Sequence, residues 1–595
     1  MEPDSQAPVG IQNQFGAGKY VFLGPLFDPH SSLGISRFPY LYNVLRSDFN
    51  LQSLARRPQV EIYFDPGMRT GVSLERLVRS WSNTGVRIVH AAAWATGYRN
   101  WTFNYSHFID LCHKNGILVY AWFELPQVSE KFWDAHPEWR EKTATGLDAH
   151  AGWRLAMNLY NPQCRQQAFE VVLGILNGFA WDGVNFAELN FDTDHGPLNP
   201  AKYTPFNENV RRDFISREGF DPLNLFDSGS PYFWQGNAGA RARFEQFRSD
   251  IVTNWHREIL ELLMPLCQQK DWELVITMLD SLHSPTLQRD TGVDSNQILD
   301  LMKKYPFTLQ VEDPAEFWTQ SPDRYSAFVE TYLKRVPDRR RLVIDLNIIP
   351  NRMVINSSLP TAPQTGMEFA QMLYHAAKAS GRVAVYAEST LAVQDFEIMD
   401  LVLAATTEIK QHPDRLQVLT PYTAMVRMDS QRSYQLDRQP WPFVEEGQVI
   451  VPPGRHEITE RKGRLSFLDW NQLKLTLKGI QAELLRGEST RHGLRFHYAG
   501  ITRTIARLSR QPQQIVLDGK PLISKPILSQ GEWLIILPPG EHEVEITANS
   551  MASIILDIAS LLSSYTIVIA GLGCGVALIL MYTIVRVRRS FHGWV

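Results

Sequence analysis

The sequence predicts an α/β protein: a TIM (β/α)8 barrel, then a small β-sandwich domain, then a C-terminal transmembrane helix. Three observations predict it. Over residues 58–410, eight short apolar runs alternate with helical patterns. Over residues 411–550 the texture changes to short β-type runs separated by turns. Residues 565–585, YTIVIAGLGCGVALILMYTIV, form a 21-residue run without a charge. At about 1.5 Å per residue it is long enough for about 30 Å of hydrocarbon. Residues 1–57 read as an N-terminal extension, 551–564 as a linker and 586–595 as a basic tail.

The eight strand candidates are VEIYFDP (60–66), VRIVHAAAW (86–94), ILVYAWFELP (117–126), DGVNFAELNF (182–191), WELVITMLD (272–280), FTLQVEDP (307–314), RLVIDLNII (341–349) and RVAVYAEST (382–390). They are rich in Val, Ile and aromatics, as expected of strands covered on both faces. Between the first two, Leu74, Leu77, Val78 and Trp81 recur at helical spacing, with Ser73 as N-cap and Gly85 as the stop. Phe244, Phe247, Ile251, Trp255, Ile259 and Leu262 make a longer stripe that should face the barrel. The unit after the fourth strand carries an insertion over 190–240 that is placed to wall a cleft. A doubly wound open sheet is the alternative, but no Gly-rich phosphate turn follows any strand.

In the β region, VPPGRHEI (451–458) returns as LPPGEHEV about 86 residues later. A strand, a Pro-Pro-Gly turn and a second strand make a hairpin-like unit, and its recurrence predicts a sandwich with an internal repeat.

Arg586, Arg588 and Arg589 follow the apolar run at once, whereas the preceding flank holds Asp557 and no base. The positive-inside rule then puts the short tail in the cytoplasm and the large domain outside, in the periplasm or at the cell surface. Gly571 and Gly575 make a GxxxG pair suited to a homodimer contact. The start MEPDSQAPVG shows no signal peptide, so the rival arrangement is a cytosolic domain anchored by its tail. A net charge of −4 argues against nucleic acid as a partner. Cys112, Cys164, Cys267 and Cys574 fit neither a metal knuckle nor a disulfide framework and are expected to be thiols. No HxH or HExxH spacing occurs, so neither metal nor cofactor is expected.

In a TIM barrel the working groups sit at the C-terminal ends of the strands. Here those ends are acidic: Asp65 on strand one, Glu124 on three, Glu188, Asn190 and Asp192 on four, Asp280 on five, Glu312 and Asp313 on six, and Glu388 on eight. Strand seven carries Asp345 and Asn347. Convergent carboxylates point to glycoside hydrolysis, which needs one protonated acid for the leaving oxygen and a second carboxylate as base or nucleophile. Crowded like charges raise at least one pKa, as such an acid requires. Trp94, Trp122 and Trp153 lie near the same rim and are placed to stack on sugar rings. Asp182, at the start of its strand, reads as structural.

With those residues in view, the run HPEW (136–139), Trp153-Arg154, NLYNP (158–162) and WDGVNFAEL (181–189) resembles the barrel of bacterial glycosyl-hydrolase-like proteins. It is also similar to the hydrolase half of poly-β-1,6-N-acetylglucosamine deacetylase/hydrolases, a comparison that YFDPG (63–67) and VYAWFELP (119–126) fit. The resemblance covers about residues 58–400. It implies Glu188 as the catalytic acid, with Asp65 and Glu388 at acidic positions of the cleft. The family pattern has two adjacent acids, whereas here Glu188 stands between Ala187 and Leu189.

The expectation is therefore a membrane-anchored, extracytoplasmic glycoside hydrolase acting on a polysaccharide such as an amino-sugar exopolysaccharide. Glu188 is the general acid, and Asp192, Asp280, Asp313 and Glu388 are candidates for the second group. Asp65, Trp94, Trp122, Glu124, Trp153 and Asn190 contact substrate. Exopolysaccharide synthesis or export machinery is the expected protein partner. The alternative is a non-catalytic polysaccharide-binding or assembly protein with a degenerate cleft, motivated by Ala187 and Leu189.

Overall fold

Eight parallel strands close into a barrel in chain order. They are β1 (Val60–Phe64), β2 (Val86–Ala92), β3 (Leu118–Phe123), β4 (Gly183–Ala187), β5 (Glu273–Leu279), β6 (Thr308–Glu312), β7 (Leu342–Asn347) and β8 (Val383–Tyr386). Each lies inside the run predicted for it. The structure is a computed structural model. It describes residues 10–16, 18–23, 44, 55–56, 60–94, 102–151, 154–191, 195–318, 320–349, 364, 366–428, 434–445, 447–460, 475–490 and 493–548. The expected membrane span, its Gly571 and Gly575, the linker and the basic tail lie outside these residues. Among the described residues no helix is long and apolar enough to cross a membrane.

The helices form where the periodicity placed them. Helix α1 (Leu74–Asn83) is capped by Ser73, whose Oγ accepts from the Arg76 N–H, and it buries Val78 and Trp81. Helix α2 (Tyr105–Lys114) follows β2, and α3 (Pro162–Gly178) follows β3. Helix α4 (Ala238–Lys270) buries the Phe244, Phe247, Ile251, Trp255 and Ile259 stripe. It also carries Arg248, fully buried, which donates to the carbonyls of Thr204 at 2.8 Å and Asp290 at 2.7 Å. That arginine ties down the insertion after β4. Cys112, Cys164 and Cys267 are buried and unbridged.

Strand alternation divides the barrel in two. Val60, Ile62 and Phe64 face the helices, with Val119, Ala121, Val184, Phe186, Ile344 and Leu346. Between them on each strand stand polar side chains, linked by hydrogen bonds across the barrel. Asn185 Nδ2 donates to Gln310 Oε1 at 3.2 Å, and Thr277 Oγ1 donates to Asn185 Oδ1 at 2.9 Å. His90 meets Glu61 at 2.9 Å. Below them Arg382 bridges Glu61 and Glu273, 2.7 Å from each. Tyr120 OH donates to Glu273 Oε2 at 2.8 Å. Gly183 makes room for that tyrosine: a Cβ there would lie 2.7 Å from the Tyr120 ring. Gly183→Ala is expected to push the ring off Glu273 and to cost about 2 kcal/mol, the scale of overpacking a filled core. Chemical denaturation measures it, and an unchanged midpoint would show that the ring has room to move.

The β region departs from the expected single sandwich. It forms two sandwiches. The first packs the sheet holding Arg415–Thr420, Tyr434–Leu436 and Gly454–Glu460 on the sheet holding Ala424–Arg427 and Gln448–Val451. Val418, Val426, Tyr434, Val449 and Ile458 form its core. Ala55 and Arg56 of the N-terminal extension add an edge to the second of these sheets. The other sandwich, from Leu477 to Ala548, repeats the plan around Leu484, Phe496, Leu508, Ile535 and Val544. The Pro-Pro-Gly turn is a corner between layers and not a hairpin within one sheet. Prolines cannot donate to a ladder, so the first sheet must end there. Each corner carries the same clasp. His456 Nδ1 meets Asp437 at 2.7 Å and its Nε2 meets the Pro453 carbonyl at 3.0 Å. His542 repeats this with Asp518 at 2.6 Å and Pro539 at 2.9 Å. The sequence repeat therefore counts sandwiches.

The second sandwich closes the N-terminal mouth of the barrel. Ile505 and Leu534 share one core with Ile88, Leu118, Tyr120 and Val275. Asp182 is fully buried there, accepting from the Val119 N–H at 2.9 Å and pairing with His113 at 2.7 Å and Arg503 at 3.1 Å. Burial pushes its carboxyl up, but His113 and Arg503 more than offset this and leave it below the usual range.

Candidate active site

The opposite, C-terminal mouth gathers the acids. Glu188 follows β4 directly, with a positive φ of 48°. The Asn190 N–H donates to the Glu188 carbonyl at 2.7 Å, closing a tight turn. Arg154 lies 2.8 Å from Glu188 Oε2. Glu124 follows β3 and is buried. Trp122 Nε1 donates to its Oε1 at 2.8 Å, while its Oε2 has no hydrogen-bond partner among the described residues. Burial, then the charge of Glu188, push the Glu124 carboxyl up to about 8.

Three further carboxyls face this pair. Asp65 follows β1 and caps the turn after it, accepting from the Gly67 N–H at 2.7 Å. Burial raises its pKa. Glu312 ends β6 and accepts from Asn347 Nδ2 at 2.7 Å. Burial, then Asp345 and Glu188, hold it well above the carboxylate range. Asp345 on β7 accepts from Gln310 Nε2 at 2.7 Å, and burial pushes it up to about 7. Tyr63 and Tyr386 stack at 4.6 Å, Trp122 meets Tyr63 edge-on at 4.9 Å, and Trp94 packs against the same group.

The predicted residues divide accordingly. Glu188, Glu124, Asp65, Asn190, Trp94 and Trp122 come together. Trp122, however, is buried to 1% exposure and orients Glu124, leaving no open face for a sugar. Three candidates for the second group are engaged by other partners. Glu388 is clamped by Arg69, at 2.7 Å and 2.9 Å. Asp280 is fully buried behind β5, where it meets His283 at 2.6 Å and accepts from Tyr332 OH at 2.5 Å. Asp313 pairs with Arg324 at 2.8 Å. The reason is the two-residue period of a strand: Glu312 faces in, so Asp313 next to it faces the helices. Asp192 and Trp153 lie outside the described residues. Sequence reasoning passed over Tyr63 and Tyr386, and it named Glu312 and Asp345 among the strand acids and Arg154 within a motif without choosing them as site residues. Spaced pairs of polar residues, Gln310 with Glu312 and Asp345 with Asn347, were the available sign of inward faces.

No protein-family model matches the chain, and a search of curated proteins finds no match. Among solved structures it is similar to glycoside hydrolases. A β-galactosidase from the Antarctic haloarchaeon Halorubrum lacusprofundi is 14% identical, over 58% of this chain and 57% of that one, with a TM-score of 0.40. A β-galactosidase from the psychrophilic Marinomonas ef1 is 12% identical, over 55% and 54%, at 0.39. The catalytic domain of a β-amylase from Paenibacillus polymyxa is 11% identical, over 60% of this chain and 100% of that one, at 0.42. The match thus spans just over half the length of the two β-galactosidases.

Proposed function

We propose that the chain is a glycoside hydrolase acting on a polysaccharide outside the cytoplasm, held at the membrane by residues 565–585. The observation that carries this reading is the unlike setting of two neighbouring glutamates. Glu124 is desolvated, oriented by Trp122 and protonated at neutral pH, whereas Glu188 faces the Arg154 guanidinium. In this reading the acid is Glu124, expected from sequence only as a substrate contact, and Glu188, expected as the acid, becomes the second group. Glu124 gives its proton to the glycosidic oxygen as the C–O bond breaks, and the bonding electron pair leaves with that oxygen. Glu188 stabilises the anomeric carbon as nucleophile, or takes the proton of the water that attacks it. An amino-sugar exopolysaccharide is the proposed substrate, on the motif resemblance. Contact with the machinery that makes or exports that polymer, and pairing through Gly571 and Gly575, belong to the same proposal.

The full chain in detergent should release reducing ends from such a polymer, and Glu188→Gln should slow this by about 10²–10⁴-fold. Glu124 must keep its proton, so the rate should hold below pH 8 and fall as pH rises through about 8. A polymer that is bound but never cut would favour the non-catalytic reading, which the neighbouring Ala187 and Leu189 support.

A further inference from the structure

We propose that Arg154 is a positioning residue that assigns the proton, keeping Glu188 ionised so that Glu124 is the acid. The inference rests on the reading of the two glutamates above and adds what distinguishes them.

The backbone argument comes first. Arg154 sits on a two-residue strand, Arg154–Leu155, paired with His150–Ala151. This small hairpin is hydrogen-bonded to the chain leaving β3. The Val128 N–H donates to the Leu155 carbonyl at 3.1 Å, the Met157 N–H donates to the Pro126 carbonyl at 2.9 Å, and Gln127 bridges to Ala156. Those partners begin two residues after Glu124. One backbone unit therefore carries Glu124 and Arg154 together, and the guanidinium reaches from it to Glu188 at the end of β4. The proton donor and the counter-charge of its partner are held by the same piece of chain.

The charge argument is independent. Among the described residues, acids and phenols face the pair from four other strands: Asp65 and Tyr63 from β1, Glu312 from β6, Asp345 from β7 and Tyr386 from β8. In such surroundings two adjacent carboxyls share one proton, and the proton stays on the one with less positive charge beside it. Arg154 stands against Glu188, at 2.8 Å; its charge also lowers Glu124, but there burial and the charge of Glu188 outweigh it, and Trp122 gives an N–H. Without Arg154 burial still favours the proton on Glu124, but Glu188 loses the counter-charge beside it.

The test compares Arg154→Gln and Arg154→Lys with the unaltered full chain. Infrared titration of protonated carboxyl bands, assigned with Glu124→Gln and Glu188→Gln, reads the proton without turnover. In Arg154→Gln the Glu188 band should titrate at least about one pH unit higher, as expected on losing an opposite charge at contact. Arg154→Lys should return most of the way. In assays of the same variants, Arg154→Gln should lower kcat by about tenfold or more at pH 7, move the acid limb of the profile upward, and leave KM within about threefold. A Glu188 band at the same pH in both proteins overturns the assignment, whether or not the chain cuts a polymer. An absence of turnover with the band shifted overturns the hydrolase reading alone. A change confined to KM assigns Arg154 to substrate binding and overturns the proposal.

Discussion

Glu124→Gln is expected to slow turnover by orders of magnitude and to make the protein more stable at pH 7. The two effects have one cause. The Glu124 carboxyl is raised from 4.5 to about 8 by burial and by the charge of Glu188. Between those values the folded protein holds a proton that the unfolded chain releases. A raised carboxyl gives no penalty below 4.5; the penalty grows as pH rises and levels off above about 8. At pH 7 it is on the order of 3 kcal/mol. Glutamine is neutral at every pH, and its Oε1 can still accept from Trp122. The variant should therefore gain about 1–3 kcal/mol at pH 7 in denaturant unfolding and converge with the parent below pH 4.5. Activity should drop by about 10²–10⁴-fold, as for loss of a general acid. Stability and activity moving in opposite directions is the mark of a group whose environment is set for chemistry. A variant that lost both would make Glu124 a packing residue and sink its assignment as the acid.

The largest loss of stability is expected at the other end of the barrel. Arg382 is buried between Glu61 and Glu273, and each of these makes further hydrogen bonds, Glu61 to His90 and Glu273 to Tyr120 and Thr308. Arg382→Met leaves two buried carboxylates without their cation. Removing one partner of a buried ion pair costs about 3–5 kcal/mol, and here two pairs go at once. The pH dependence carries a second signature. Burial pushes the Glu61 carboxyl up, Arg382 and His90 more than offset it, and it comes to rest at about 2. A depressed carboxyl contributes stability that is full above its unfolded value of about 4.5 and is lost as pH falls toward 2. In Arg382→Met that contribution is gone, so the gap between variant and parent should be wide at pH 7 and narrow as the pH is lowered. Denaturation midpoints across that range measure it. A loss below about 1 kcal/mol at pH 7 would mean that the barrel interior takes up water and does not depend on the pairs.

How much of this was legible depends on the range of the interaction that decides it. The eight strands could be read because each is a short run of Val, Ile and aromatic residues, and half of its side chains face the helices. The helices could be read from Ser73 and from the Phe244 to Ile259 stripe, both local signals. The inward half of each strand was harder to see. Glu61, Glu273 and Arg382 are far apart in the chain and look like ordinary surface charges until closure of the barrel brings them together. The same holds at the acidic mouth. Asp313 and Asp280 were chosen for being acids at strand ends, but a one-residue step turns a side chain to the other face. Arg154 stands in the Trp153-Arg154 element of the resemblance, but nothing local shows that it meets Glu188, because only the hairpin laid over the exit of β3 delivers it there.

By itself the sequence determined the barrel, its strand order, the acidic mouth with Glu188 at the end of the fourth strand, and the repeat in the β region. These follow from periodicity and turn chemistry, which act over a few residues. Only the tertiary structure decided that the repeat makes two sandwiches, that one of them closes the far end of the barrel, and that Glu124 and Glu188 meet at the acidic mouth in unlike settings. It also decided that burial raises the Glu124 carboxyl while Glu188 lies against Arg154. Protonation depends on burial and on the distance to other charges, and both are properties of groups that meet only when the barrel closes.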